Sequence, residues 1–256
     1  MKDIQDEKDF RNIPLDKVGV SNVIYPIRIL DRQHGFQNTV SQIDMFVDLP
    51  HDYRGTHMSR FLEVLNENRT NMSINNLEHI LDEIKIILKA KNAHITVKFP
   101  YFVLKKAPVS KSESYLSYDC AFIASKGENF DFILEVNTPI HTLCPCSKEI
   151  SEFSAHNQRA NAKVQARMNK LVWIEDIIEI SEQAASSPLF SLLKREDEKY
   201  VTEHAYLNPR FVEDVVREIS LALEKDDRIT YYDIEVVSFE SIHNHNAYAS
   251  FTRFKK

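Results

Sequence analysis

Glycine is scarce in this chain. Its 256 residues include four, Gly19, Gly35, Gly55 and Gly127, against about 18 at the average usage of ~7%. Walker A loops and Rossmann fingerprints need clustered glycines so that backbone N–H groups can approach phosphate, and neither pattern is present. A nucleotide bound here must be held through side chains. Long apolar runs are also missing, and none approaches the roughly 18 residues of a membrane span. The opening stretch MKDIQDEKDFRNIPLDKVGV is charged and lacks the apolar segment of a signal peptide. Cysteine is limited to three residues. That odd number makes no obvious disulfide framework, so a reducing cytoplasm is the expected compartment. Excess positive charge is absent as well. A formal net charge of -6 argues against a general nucleic-acid binder, although a local basic pocket could still take a small anion.

What is present is soluble and globular in type, with 43% apolar and 27% charged residues. The length suits one large domain or two of about 125 residues, and either can bury a core. Alternating or β-branched runs at 22–29 and 39–48 predict two strands. The window GTHMSRFLEVLNENR repeats Met58, Phe61, Leu62 and Leu65 at helical spacing. A second helix is expected in SINNLEHILDEIKIILKAK, with Ser73 as N-cap. Strands at 94–104 and 114–125 complete a β-β-α-α-β-β order. The second half repeats that order, with strands at 129–141 and 161–168. Helices are expected at 173–185, near 189–194, and in NPRFVEDVVREISLALEK, where Asn208 caps and Pro209 takes the first helical position. Closing strands fall at 228–239 and 247–254. The divide lies near SKGEN, residues 125–129.

Several polar clusters could carry chemistry. In LCPCSKEISEFSAHNQR, Cys144 and Cys146 flank Pro145, too close together for comfortable disulfide geometry. Buried thiols are common, but Pro, Ser and Lys make a poor core. Near Lys148, His156 and Arg159 a thiolate is favoured, as a metal ligand or a nucleophile requires. One Cys and one His do not complete a tetrahedral site. In ESIHNHNA, His243 and His245 share a face if extended, with Glu240 upstream to orient one of them; the bland alternative is two solvated histidines. Lys194 to Glu203 carry seven charges in ten residues, which is the usual pattern of a solvated face. Arg54, His57 and Arg60 can be a plain helix entrance, or cations suited to phosphate.

Together, GTHMSR, TLCPCSKEIS with AHNQR, LLKREDEKYVTE, NPRFVED and ESIHNHNA resemble the type IB GTP cyclohydrolases, in order between residues 54 and 247. The resemblance implies an α+β tunnelling fold in two tandem modules, 1–127 and 128–256. Each would be an antiparallel four-stranded sheet with two helices on one face, and the chains would form a homotetramer. It implies conversion of GTP and water to 7,8-dihydroneopterin triphosphate and formate, the entry to tetrahydrofolate biosynthesis or a queuosine-type route, with no nucleic-acid or membrane partner. By resemblance a divalent metal, Zn2+ or else Mn2+ or Fe2+, is held by Cys144, His156 and Glu198, with Cys146 outside the ligand set. His243 and His245 transfer protons and Glu240 orients them. Glu213 anchors the purine, and His57, Arg60, Lys148 and Arg159, with Arg54, Lys194 and Arg195, supply substrate and triphosphate contacts. Leu207 and Asn246 depart from acidic residues common in relatives. Two rival classes stand beside this one: a metal-free enzyme with Cys144 as nucleophile and His156 as base, and a non-enzymatic binding protein of the same fold.

Overall fold

The computed structural model of the chain describes residue 5, residues 7–68 and residues 72–255. It is an α+β protein with nine strands and six helices among those residues. Strand neighbours run β1-β2-β3-β4-β5-β6-β8-β9, with β7 on β5; here β3 is Ala93–Lys106, β4 Glu113–Lys126 and β5 Phe130–Leu143, and the other ranges follow. Two compact units are distinguishable, one of Met1–Pro100 and Ala121–Ile133, the other of Tyr101–Cys120 and Leu134–Lys256.

The first unit holds β1 (Leu15–Asp31), β2 (Gly35–Leu49), α1 (Met58–Asn68) and α2 (Ile74–Leu88). Both strands outrun their hydrophobic windows, because antiparallel pairing from Leu15↔Leu49 to Asp31↔Gly35 sets their ends. Gly35 has φ 79° at the turn, a region that favours glycine. Gly19 lies so close to β2 that a Cβ there would sit 2.0 Å from the Met45 carbonyl oxygen. The core stripe of α1 is Phe61, Val64 and Leu65, while Met58 and Leu62 are exposed. Arg69, the last residue of that helical window, lies outside the described residues. On α2, Leu77, Ile80, Leu81 and Ile84 recur on one face and are buried.

The second unit holds α3 (Pro145–Ile150), β6 (Asn157–Met168), α4 (Ile174–Ala184), β7 (Ser187–Pro188), α5 (Arg195–Leu207), α6 (Val212–Lys225), β8 (Ile229–Ser238) and β9 (Ala247–Phe254). One face of β6 and β8 is core, through Ala160, Ala162, Val164, Ile234 and Val236. Ile177 and Ile178 of α4 and Val215, Ile219 and Leu223 of α6 are buried as well.

Two expectations for this unit are corrected. No helix forms at 189–194. The Leu189 carbonyl instead accepts Lys105 Nζ at 2.8 Å, and α5 starts at Arg195. Its start is fixed by Asp197, which accepts the Lys194 amide at 2.8 Å. Asp197 is buried within the charged run, which is otherwise exposed from Lys194 to Tyr200. Burial works to raise its pKa. The Ser110 hydroxyl at 2.6 Å and the amides of Lys194, Ser110 and Val109 outweigh it and hold the carboxyl below its usual range. The second correction concerns Asn208, which ends α5 rather than starting α6: its amide donates to His204 and Ala205 carbonyls, and its Nδ2 donates to Ala185 at 2.9 Å. Helix α6 begins at Val212, with the Phe211 amide donating to Asp214 Oδ2 at 3.0 Å.

Two isoleucines on α2 test the placement of the core. Ile84 is 1% and Ile86 77% exposed. Ile84→Ala should cost about 2–5 kcal/mol of unfolding free energy, and Ile86→Ala should stay within roughly 0.5 kcal/mol. Denaturant titration of both variants checks this, and similar losses would displace α2 from the core.

Candidate active site

The β5–β6 ladder builds the site. Its antiparallel register runs to Thr142↔Gln158 and Leu143↔Asn157, and the next pairing, Cys144 N–H to His156 carbonyl at 3.1 Å, continues it. Cys144 and His156, twelve positions apart in sequence, are thereby held side by side. Between them, α3 starts with Pro145 at its first position, where a missing N–H costs nothing. Cys144 occupies the N-cap, its Sγ accepting from the Ser147 amide at 3.4 Å. The hydroxyl of Ser147 accepts the His156 amide at 2.9 Å. One serine thus ties both ends of the loop.

A cavity of about 440 Å³ opens over this junction. Cys144, His156, Thr142 and Gln158 line one part of it, and Ser238, Glu240, His243, His245, Ala247 and Tyr248 another. The backbone bond from the Phe239 amide to the Arg159 carbonyl, 3.0 Å, carries β8 one residue further and delivers Glu240. His156 and Glu240 are largely buried, with side chains 14% and 13% exposed, and Nδ1 lies 3.8 Å from Oε2. That gap is too long for a hydrogen bond; Gln158 Oε1, at 2.9 Å, is the partner of Nδ1. The His243 and His245 rings stack at 5.1 Å and 19°, both exposed. The last part of the lining is Arg210, Phe211, Val212 and Glu213. It is docked by the Arg210 amide on the Leu143 carbonyl at 3.0 Å.

Six of the residues singled out in the sequence therefore share one cavity: Cys144, His156, Glu213, Glu240, His243 and His245. The others lie elsewhere. Glu198 is exposed on α5 and Cys146 is exposed on α3; neither lines the cavity. Lys148 donates to the Tyr206 carbonyl at 2.7 Å and lies 4.5 Å over that ring. Arg159 follows Gln158 along β6, so it projects from the opposite face of the sheet. His57 and Arg60 belong to the first unit, with Arg60 Nη1 donating to the Ile87 carbonyl at 2.8 Å. Arg54 pairs with Glu7 there.

Among the described residues no three His, Cys, Asp or Glu side chains are grouped closely enough to hold a metal ion. The donor chemistry nonetheless fits one, since thiol, imidazole and carboxylate groups line a single cavity and are the N, S and O ligands that zinc takes.

Eight lining residues are not among the candidates from sequence, four of them Thr142, Gln158, Ser238 and Arg210. Thr142, Gln158 and Ser238 meet there through strand register, which leaves no local signature. Arg210 sits inside the NPRFVED motif and was overlooked among the cations. Its Nη1 lies 3.3 Å from Glu218 Oε1, and its buried Nε has no hydrogen-bond partner among the described residues.

Comparison with known proteins bears on the family and the fold. The family described as "Type I GTP cyclohydrolase folE2" matches residues 1–249. A GTP cyclohydrolase FolE2 of Fervidobacterium nodosum is 58% identical over 253 residues, 98% of this chain and 97% of that protein. That of Kosmotoga olearia is 56% identical over 255 residues, covering 100% and 99%. Among solved structures, uricase from Arthrobacter globiformis aligns with TM-score 0.56 and 5% identity over 94% of both chains. A urate oxidase mutant of Bacillus sp. TB-90 aligns with TM-score 0.57 and 8% identity, covering 94% of this chain and 100% of that one. At such identities the likeness is one of fold alone, and it fits a tunnelling fold. Matched from residue 1 to residue 249 and more than half identical to full-length relatives, the chain belongs to the FolE2 family of type I GTP cyclohydrolases.

Proposed function

We propose that this chain converts GTP and water to 7,8-dihydroneopterin triphosphate and formate, as the first step of tetrahydrofolate biosynthesis, with the 440 Å³ cavity as its active site. The observation that carries the reading is the meeting, in one cavity, of the Cys144–His156 pair, a histidine pair and a carboxylate at the start of α6. The type IB label is a finer statement than the family description, and its support is the set of motifs on which the cavity is built.

Opening the purine imidazole ring requires water to add at C8, cleavage of a C–N bond, and loss of formate. A divalent metal supplies Lewis acidity and lowers the pKa of bound water towards ~7. Cys144 and His156 would hold it, with a carboxylate as a third donor; Glu198 fills that place by family resemblance and Glu240 is the nearer one in this chain. Zinc suits a thiolate with N and O partners, and Mn2+ or Fe2+ stand as alternatives. His243 and His245 move protons, the acid and base work to which an imidazole is suited. Glu213 anchors guanine by accepting from N1–H and the 2-amino group. Its neighbour Asp214 is occupied with the Phe211 amide, so the two carboxylates are not interchangeable. The triphosphate contacts proposed for His57, Arg60, Lys148 and Arg159 rest on family resemblance.

The tandem-module reading belongs with this proposal, supported by a strand order with four strands on either side of the turn at 127–129. So do the cytoplasmic location and the homotetramer; for the latter, β9 ends the strand order among the described residues and carries exposed Phe251 and Phe254, an edge of the kind that oligomers pair.

Purified protein mixed with GTP should develop pterin fluorescence, and a chelator should abolish it; activity that survives chelation would favour Cys144 as a metal-free nucleophile. Cys144→Ala and His156→Ala should lose bound metal and activity together. His243→Ala should keep the metal and lose about 10²–10⁴ in rate. Elemental analysis beside the assay separates these outcomes, and full metal occupancy in Cys144→Ala would remove it from the ligand set.

For the anchor, Glu213→Gln should abolish GTP binding in calorimetry without moving the melting temperature. Asp214→Asn, whose Oδ1 can still accept the Phe211 amide, should keep GTP affinity and be mild in stability, within roughly 0.5 kcal/mol. Equal effects on binding would overturn the Glu213 assignment.

A further inference from the structure

Gln158 touches more of the cavity's polar groups than its neighbours do. Its Nε2 lies 3.3 Å from Thr142 Oγ1, 3.2 Å from Ser238 Oγ and 3.3 Å from Glu240 Oε1. Its Oε1 lies 2.9 Å from His156 Nδ1 and 3.4 Å from Ser241 Oγ. Amide ends can be exchanged on paper, but here the chemistry selects one arrangement. A carboxylate only accepts hydrogen bonds, so the amide end facing Glu240 must be the NH2. The carbonyl end therefore faces His156, and a carbonyl also only accepts. Nδ1 must then carry the hydrogen, and in a neutral imidazole the lone pair belongs to Nε2. Glu240 cannot take over that task, because its Oε2 is 3.8 Å from Nδ1.

We infer that Gln158 is a positioning residue: it fixes His156 in the Nδ1–H tautomer, so that Nε2 is the donor offered to a divalent metal, and with the same amide it holds Glu240 in place. Metal-binding histidines are usually oriented in this way by an acceptor on the other ring nitrogen; here a carboxamide serves in place of a carboxylate. The metal half of the inference rests on the metal-dependent reading above. The tautomer half does not.

The test uses the full-length chain with 15N-labelled histidine. Two-bond 15N–1H spectra are recorded without metal at alkaline pH, where the imidazole is neutral, and His156 is assigned by the signals lost in His156→Asn. The wild type should show the Nδ1–H form. Gln158→Leu should lose that preference, and Gln158→Glu, which keeps an acceptor opposite Nδ1, should retain it. Circular dichroism establishes that each variant is folded; Gln158→Ala, which also removes the acceptor, replaces Gln158→Leu should that variant fail to fold, and loss of the Nδ1–H form in Gln158→Glu would count against the acceptor's role. Zinc affinity, measured by competition with a chelating dye, should fall about 10–100-fold in Gln158→Leu. A wild-type ring protonated on Nε2, or an unchanged tautomer in Gln158→Leu, overturns the inference. Unchanged zinc affinity in Gln158→Leu while Cys144→Ala loses zinc overturns its metal half alone. Unchanged affinity in both overturns that half together with the reading it rests on.

Discussion

The site depends on the antiparallel ladder between β5 and β6. Ten successive residue pairs from Leu134↔Ala166 to Leu143↔Asn157 keep one register, and the Cys144–His156 backbone bond follows from it. Because side chains alternate along a strand, a slip of one residue would turn Thr142 and Gln158 away from the cavity and bring His141 and Arg159 onto it. The buried alternation of Ala160, Ala162 and Val164 opposes such a slip. The same apolar face that supplies the core thus fixes where the polar chemistry stands.

The charged groups of the second unit fall into two kinds. Asp197 and Asp214 are engaged with backbone amides at helix starts, and their work is structural. Lys105 is buried against Glu182 at 2.6 Å and the Leu189 carbonyl, and Tyr118 donates to the same Glu182 oxygen at 2.8 Å. Burial pulls the Lys105 pKa down and pushes that of Tyr118 up. Glu213 and the histidine pair, by contrast, are exposed at the cavity. Electrostatic interactions are strong where groups are desolvated and held, so the engaged set gives rigidity and the open set is left for a ligand.

This division explains what could be read from the sequence. The apolar stripe of α6 was legible, and so was the pairing of Glu213 with Asp214, because helical spacing is a local property. The start of α6 was not, since Pro209 and Asn208 suit a helix start, and it is the Asn208 bonds to the His204, Ala205 and Ala185 carbonyls that make Asn208 the end of α5 instead. Helix α5 hid in a charged run because its anchor, Asp197, is bonded to Ser110 and Val109, nearly ninety positions away. Cys144 and His156 stood out by composition. Gln158 did not, although it sits two residues from His156, because its other partners come from two distant stretches of chain, at Thr142 and at Ser238 and Glu240.

The scarcity of glycine acquires a physical meaning at this cavity. Two carboxylates, Glu213 and Glu240, line it against one permanent cation, Arg210, which is already 3.3 Å from Glu218. A triphosphate placed against those carboxylates would meet repulsion that a partly desolvated site amplifies. Among the described residues no lysine lines the cavity to offset it. On the GTP reading, the purine therefore enters the cavity, where Glu213 can accept its donors and the Cys144–His156 corner faces its imidazole ring. On the same reading, side chains outside this lining would have to hold the phosphates. A site built this way needs no glycine loop, because it grips the base rather than the phosphate.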